Sequence, residues 1–314
     1  MPNNQTKAMT QGAMMIALFL ILIALANVPL VNLLAFVFAP LPLAWFSATY
    51  NRKLAIGVSL LAIAASFFLF IGNIAIVILA LILAIVGLVM GDCLREEKSK
   101  IYLLMATGTA ILLTFALQFV LLVRFLEVNF IEESMQMARE TYEESLKYSA
   151  KLTGGEAQIE EQMRQTFEMM EMTLPANITI SVFALAFLWM LVLLPILNRL
   201  KVEVPKFPPF RDMRLPRAIL WYYLIVLSIN LFIQPDYGSM FYVVMLNLSI
   251  ILWVLLTLQG ISFLHFVIDA FHYPRFLKVM ATILSIPLYS FIVLVGIIDL
   301  GFNLREWVKA KSEK

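Results

Sequence analysis

Residues Glu127 to Leu174 read EVNFIEESMQMARETYEESLKYSAKLTGGEAQIEEQMRQTFEMMEMTL and interrupt a chain that is otherwise apolar. The stretch holds eleven Glu and four basic residues (Arg139, Lys147, Lys151 and Arg164), a net charge of −7. The whole chain carries +2, so everything outside this stretch sums to +9. Apolar runs flank it on both sides. Basic connections stay on the cytoplasmic side of a membrane, while acidic residues contribute little to orientation. The acidic stretch is therefore expected outside the cell, between two membrane spans.

Hydrophobic residues make up 62% of the 314 and charged residues 14%. Soluble domains hold roughly 45–50% apolar and about 25% charged residues. Only lipid solvates such a surplus, which predicts an all-α, polytopic membrane helix bundle. Strand alternation of the outer-membrane barrel type is not visible. The lone Cys93 excludes an internal disulfide and a multi-cysteine metal site. The small net charge gives no reason to expect nucleic acid as a partner.

A span needs about 20 apolar residues. Nine segments qualify: Gly12–Ala26, Leu33–Tyr50, Leu54–Ile71, Ile74–Gly91, Ile101–Leu126, Pro175–Leu197, Ala218–Ile233, Met240–Ala270 and Phe276–Leu300. Eight is the alternative. Lys7, Arg52-Lys53, Arg95, Lys98, Lys100, Arg275 and Lys278 mark cytoplasmic turns, so the N-terminus is expected inside a bacterial plasma membrane. Nine spans would leave the C-terminus outside, yet Arg305, Lys309, Lys311 and Lys314 lie there. Either the last segment, bent at Pro287, re-enters or lies flat, or the tail breaks the rule. A cleavable signal sequence ending near Ala24-Leu25-Ala26 is an alternative for the first span.

The resulting organisation is a five-span bundle at 1–127, the acidic insert at 128–174 and a sixth span at 175–198. A basic linker at 199–217, stiffened by Pro205, Pro208, Pro209 and Pro216, leads to a three-span extension at 218–314. Within the insert, Ile131, Met135, Ala138, Tyr142 and Leu146 recur at helical spacing. Gly154-Gly155 breaks the pattern, and Ile159, Met163, Phe167, Met170 and Leu174 form a second stripe. Two amphipathic helices outside the membrane are expected, as a solvated cap or as a gate. The methionines among them fit core packing better than a soft-metal site.

Polar residues gather at the expected outer ends of the spans. Asn27, Asn73, Gln118, Arg124, Glu127 and Asn230 are the candidates for binding a small polar ligand. Gln118 lies about two turns inside the membrane, where a polar group is costly and faces the bundle interior or water. Arg124 and Glu127 are three apart and would pair on one helix face. Interfacial snorkelling and helix capping are the structural alternative. His265, Asp269 and His272 follow at metal-compatible spacing, but a helix end near the cytoplasm shows the same pattern with a hydrogen-bonding role. Asp299 and Arg305 suit a local ion pair. Metalloprotease, nucleophile-elbow, P-loop and dinucleotide motifs are all missing, so neither an enzyme nor a bound cofactor is expected. Ala13 and Ala17, and Gly87 and Gly91, form small-residue faces that admit a partner helix closely.

The first 125 residues present these features in a familiar order: the Ala13/Ala17 face, Pro29, Pro40 and Pro42 around span two, the Asn51–Lys53 turn, Gly72-Asn73, and Gly87 with Gly91. This resembles the substrate-binding S components of energy-coupling factor transporters. Over nearly its whole length the chain more closely resembles the YybS-like family of bacterial membrane proteins, through the five N-terminal spans, the acidic insert, the Pro-rich basic linker, and the ending Gly296-Ile-Ile-Asp299 with Asn303-Leu304-Arg305. The S-component resemblance implies a six-helix core that takes a small molecule from the outer side. It also implies a transmembrane coupling protein, docked on Ala13/Ala17 and driven by ATPase subunits.

Overall fold

A computed structural model describes residues 2–125, 127–153, 156–205, 209–302 and 304–312, with side chains described outside 2–4, 144–160 and 312. Gly154-Gly155, Leu126, Asn303 and the side chains of Leu146 and Ile159 lie outside the described residues. Among the described residues every regular element is a helix. Seven helices are long and apolar enough to cross a membrane, and an eighth crossing results if one bent pair is a single span. The protein is a polytopic membrane helix bundle. The seventh expected span, Ala218–Ile233, is a shorter apolar helix.

The chain divides into two compact units, residues 1–145 with 181–206, and residues 146–180 with 207–314. The first unit begins with α1 (Pro2–Leu25), α2 (Asn32–Phe38) and α3 (Leu41–Thr49), followed by α4 (Arg52–Leu69), α5 (Ile74–Arg95), α6 (Lys100–Phe125) and most of α7 (Phe130–Thr153). Asn51 caps α4 by accepting from Leu54 N–H at 2.9 Å, and Asn73 caps α5 by accepting from Ile76 N–H at 3.3 Å. Such caps contribute about 1 kcal/mol each. The core centres on Phe19, Leu43, Leu83, Met90 and Leu103, joined by Trp189, Met190, Leu193 and Leu197 of α8 (Glu156–Arg199). Phe130 anchors the start of α7 edge-on to Phe115 and Phe119, each with ring centroids 5.6 Å away.

α8 corrects one expectation. Its 44 residues run unbroken from the acidic stretch into the sixth span, so the second amphipathic stripe is the leading half of a membrane helix. Pro175, expected to open that span, lies inside the helix. Asn177 likewise sits mid-helix, where its Nδ2 donates to Thr173 Oγ1 at 3.1 Å. Proline removes one backbone donor and pushes away the carbonyl four residues back. The neighbouring rung finds its partner on another helix, as described below.

The second unit holds the first part of α8, α9 (Ala218–Ser228) with a π-turn at Ile229–Ile233, α10 (Met240–Ala270), α11 (Phe276–Leu284), α12 (Tyr289–Phe302) and α13 (Leu304–Ser312). α11 and α12 meet at 111° around Pro287. α10 and α12 touch backbone to backbone. A Cβ on Gly260 would lie 2.2 Å from the Ile292 carbonyl oxygen, and one on Gly296 would lie 2.2 Å from that of Leu256. In lipid, close approach through small residues replaces the hydrophobic drive.

Candidate functional site

In the first unit, α5 and α6 leave a groove of about 230 Å³ between them, lined by Ile74, Val77, Ile78 and Leu81 on one side and Gln118, Leu121, Leu122 and Phe125 on the other. Seven of these residues are hydrocarbon; Gln118 supplies the polar atoms. It is 6% exposed. Its Nε2 donates to the Ile78 carbonyl at 3.0 Å, while its Oε1 is buried without a partner. Leaving a buried acceptor unpaired costs about 1–3 kcal/mol. Gln118 is therefore the polar residue of an otherwise apolar wall, and its unpaired acceptor is buried behind that wall.

Of the other expected ligand residues, none lines this groove. Asn73 is committed to its helix cap. Asn27 is exposed and its Nδ2 donates to Ile23 O at 2.9 Å. Arg124 and Glu127 are both exposed, and among the described residues no ion pair joins them. The expected pairing fails because α6 ends at Phe125, and Glu127 adopts a left-handed φ of 55° beyond the helix. Asn230 belongs to the second unit, where its Nδ2 donates to Ser249 Oγ at 3.2 Å.

The small-residue faces separate. Gly87 and Gly91 face α3: added Cβ atoms would lie 2.6 Å from Pro40 O and 2.3 Å from Ala44 O, so the helix that they admit belongs to this same chain. Arg95 then caps the end of α3, donating to Ser47 O at 3.0 Å and Tyr50 O at 3.1 Å. Ala13 and Ala17 are exposed.

The second unit is organised around buried polar groups. Asp299 is fully buried and Arg305 is 7% exposed. The Arg305 guanidinium bonds Asp299 Oδ2 through Nη2 at 3.0 Å and through Nε at 3.1 Å. Its Nη1 donates to the Arg211 carbonyl at 2.7 Å. Gln259 Nε2 also donates to Asp299, and Gln259 Oε1 accepts from Leu215 N–H at 2.8 Å. Ser262 Oγ bonds the carbonyls of Phe210 and Met213, both at 2.8 Å. Residues 209–217 of the linker are thus clamped to α10 by side chains from α10 and α13. The sequence pointed to Asp299 and Arg305; Gln259 and Ser262 carried the signal of polar residues deep in an apolar run.

His265, Asp269 and His272 do not converge. His265 Nε2 lies 3.1 Å from Lys278 O and 2.9 Å from Thr282 Oγ1. Asp269 pairs with Arg211 at 2.8 Å and with Lys278, and this hydrogen bond holds the Arg211 guanidinium above its ordinary pKa. His272 sits past the end of α10 with a φ of 57°. Among the described residues no group of three His, Cys, Asp or Glu side chains is placed to hold a metal.

Asn247 escaped the sequence reading. It is 8% exposed, its Oδ1 accepts from Ala176 N–H, and its Nδ2 donates to the Met172 carbonyl and to Val243 O, all at 2.7 Å.

A family model described as "Predicted membrane protein (DUF2232)" matches residues 15–300. "Uncharacterized protein YybS" of Bacillus subtilis (strain 168) is 28% identical over 313 residues, covering 98% of this chain and 100% of that protein. These matches bear out the YybS-like resemblance; neither names an S component. No solved structure matches.

Proposed function

The chain belongs to the DUF2232 family of predicted membrane proteins, and from that premise we propose that its first unit binds a small molecule in the groove between α5 and α6, reached from the outer side. The unpaired Gln118 Oε1 carries this reading. A molecule with an apolar body and one O–H or N–H donor would satisfy that oxygen and fill the rest of the groove with hydrocarbon. The topology read from the basic turns places this end of both helices outside.

The probe pair 1-naphthol and naphthalene tests it, because the two differ by a single donor. Purified protein is expected to bind naphthol about tenfold more tightly, the worth of one hydrogen bond. Gln118→Leu is expected to abolish that preference. An equal preference in both proteins would remove the site from α6.

Transport of the S-component kind is the extension of this reading, supported by the exposed Ala13/Ala17 face. Affinity purification in mild detergent should then recover a coupling protein with ATPase subunits, and Ala13→Leu/Ala17→Leu should lose them. A second reading, a non-transporting scaffold, is favoured by the acidic exposed side of α7, with Glu132, Glu133, Glu140 and Glu143 turned to solvent. Recovery of an unrelated envelope protein, lost on Glu→Lys changes there, would favour it.

A further inference from the structure

We propose that the end of the second unit formed by the linker and α13 binds the headgroups of anionic phospholipids. Arg305 and Val308 hold α13 down: Arg305 reaches Asp299 and the Arg211 carbonyl, and Val308, 4% exposed, packs with Phe263 and Phe266. The outward side of this helix presents Trp307, 62% exposed, with the exposed Lys311, while Lys309, also exposed, flanks the packed side next to Arg305. Lys311 Nζ stands 5.0 Å from the Trp307 ring, and Lys309 Nζ stands 5.9 Å from the Phe266 ring of α10.

Charge collects at the same end. Asp269 ties Arg211 of the linker to Lys278 of α11, so both segments meet the last turns of α10. Residues 209–217, 275–278 and 304–312 carry eight basic side chains against Asp212 and Glu306. With Asp269 and Asp299 subtracted, the end keeps a net charge of +4.

A basic amphipathic helix with an exposed Trp, attached to the end of an apolar helix, has the composition of one lying in the lipid interface. Trp favours the headgroup level, and a basic residue near an anionic leaflet adds about 1 kcal/mol of binding. A soluble acidic partner would account for the lysines and leave the exposed indole without a role. The bond from Arg305 to the linker also places α13 on the linker's side, where anionic lipid faces the cytoplasm. The 111° bend between α11 and α12 lets the chain return to that side.

Short-chain phosphatidylglycerol and phosphatidylcholine, titrated onto the full-length protein and read by native mass spectrometry, decide the matter. The wild type is expected to prefer phosphatidylglycerol, and Lys309→Gln/Lys311→Gln to lose about fivefold of that preference per lysine. Inorganic phosphate is expected not to displace the lipid; displacement would make the site one for free phosphate and overturn the proposal. Equal binding of the two lipids by the wild type, or an undiminished preference in the variant, would overturn it as well. Arg275→Gln carries the same expectation should the double variant lose its fold.

Discussion

Asn247 accepts a hydrogen bond from the backbone N–H of Ala176 at 2.7 Å, so a side chain of α10 completes a rung in the ladder of α8. An unbroken helix pairs that N–H with the carbonyl of Met172, and Asn247 Nδ2 donates to that carbonyl too. One amide serves both halves of a rung beside Pro175, in lipid-excluded surroundings where water offers no substitute.

Asn247→Leu is expected to destabilise the protein by about 1–3 kcal/mol for each backbone group left unpaired. In a Pro175→Ala background the ladder closes on itself, and the same substitution should cost at least about 0.5 kcal/mol less. Thermal unfolding of the four proteins in detergent measures the coupling. Strictly additive effects would separate Asn247 from the proline.

Asp299 and Arg305 form a buried pair whose partners are all in place. Removing one member strands the other, at a cost of about 3–5 kcal/mol. Arg305→Ala and Asp299→Ala are each expected to lower the yield of folded protein sharply. The double variant should recover part of it. Trypsin susceptibility of the 209–217 linker gives a second measure, since Arg305 holds Arg211 by its carbonyl.

Gly296→Ala is expected to drive α12 off α10, because the new methyl would lie 2.2 Å from a carbonyl oxygen that belongs to rigid helix backbone. Gly57→Ala is the control. Nothing lies within 4 Å of its added carbon, and replacing glycine by alanine inside α4 should raise stability by about 0.5–1 kcal/mol. The melting temperatures should move in opposite directions.

Gln118→Leu exchanges an unsatisfied buried carbonyl for hydrocarbon while giving up one bond to Ile78. These effects oppose each other, so unfolding stability without ligand should change by less than about 1 kcal/mol. Loss of naphthol preference with an unchanged melting temperature would separate a binding role from a packing role.

Where a cap follows an apolar run, the chain's local chemistry was enough. Asn51 and Asn73 start α4 and α5 where the turn chemistry of those residues puts them. The Pro287 bend was readable for the same reason: ring geometry acts locally. Pro175 misled because proline also favours the first turn of a helix. The rung beside it is completed by Asn247, which bonds Ala176 across 71 positions. Gln259 signalled its depth but not its partner, since an amide in a 31-residue apolar helix looks alike whether or not a carboxylate awaits it. Gln118 announced itself by depth, but its unpaired oxygen follows from where α5 packs.

The pairing of Gln259 with Asp299 also sets a schedule for biogenesis. The two residues are 40 positions apart, so at the usual speed of synthesis the ribosome adds the second roughly 2–8 s after the first. When α10 reaches the translocon, the carboxylate partner of its amide has at best just been made and still lies within the ribosome. The newborn helix must linger at the insertion machinery or enter lipid with that amide unsatisfied. Assembly of this protein should therefore depend on the insertase that shelters it in those seconds.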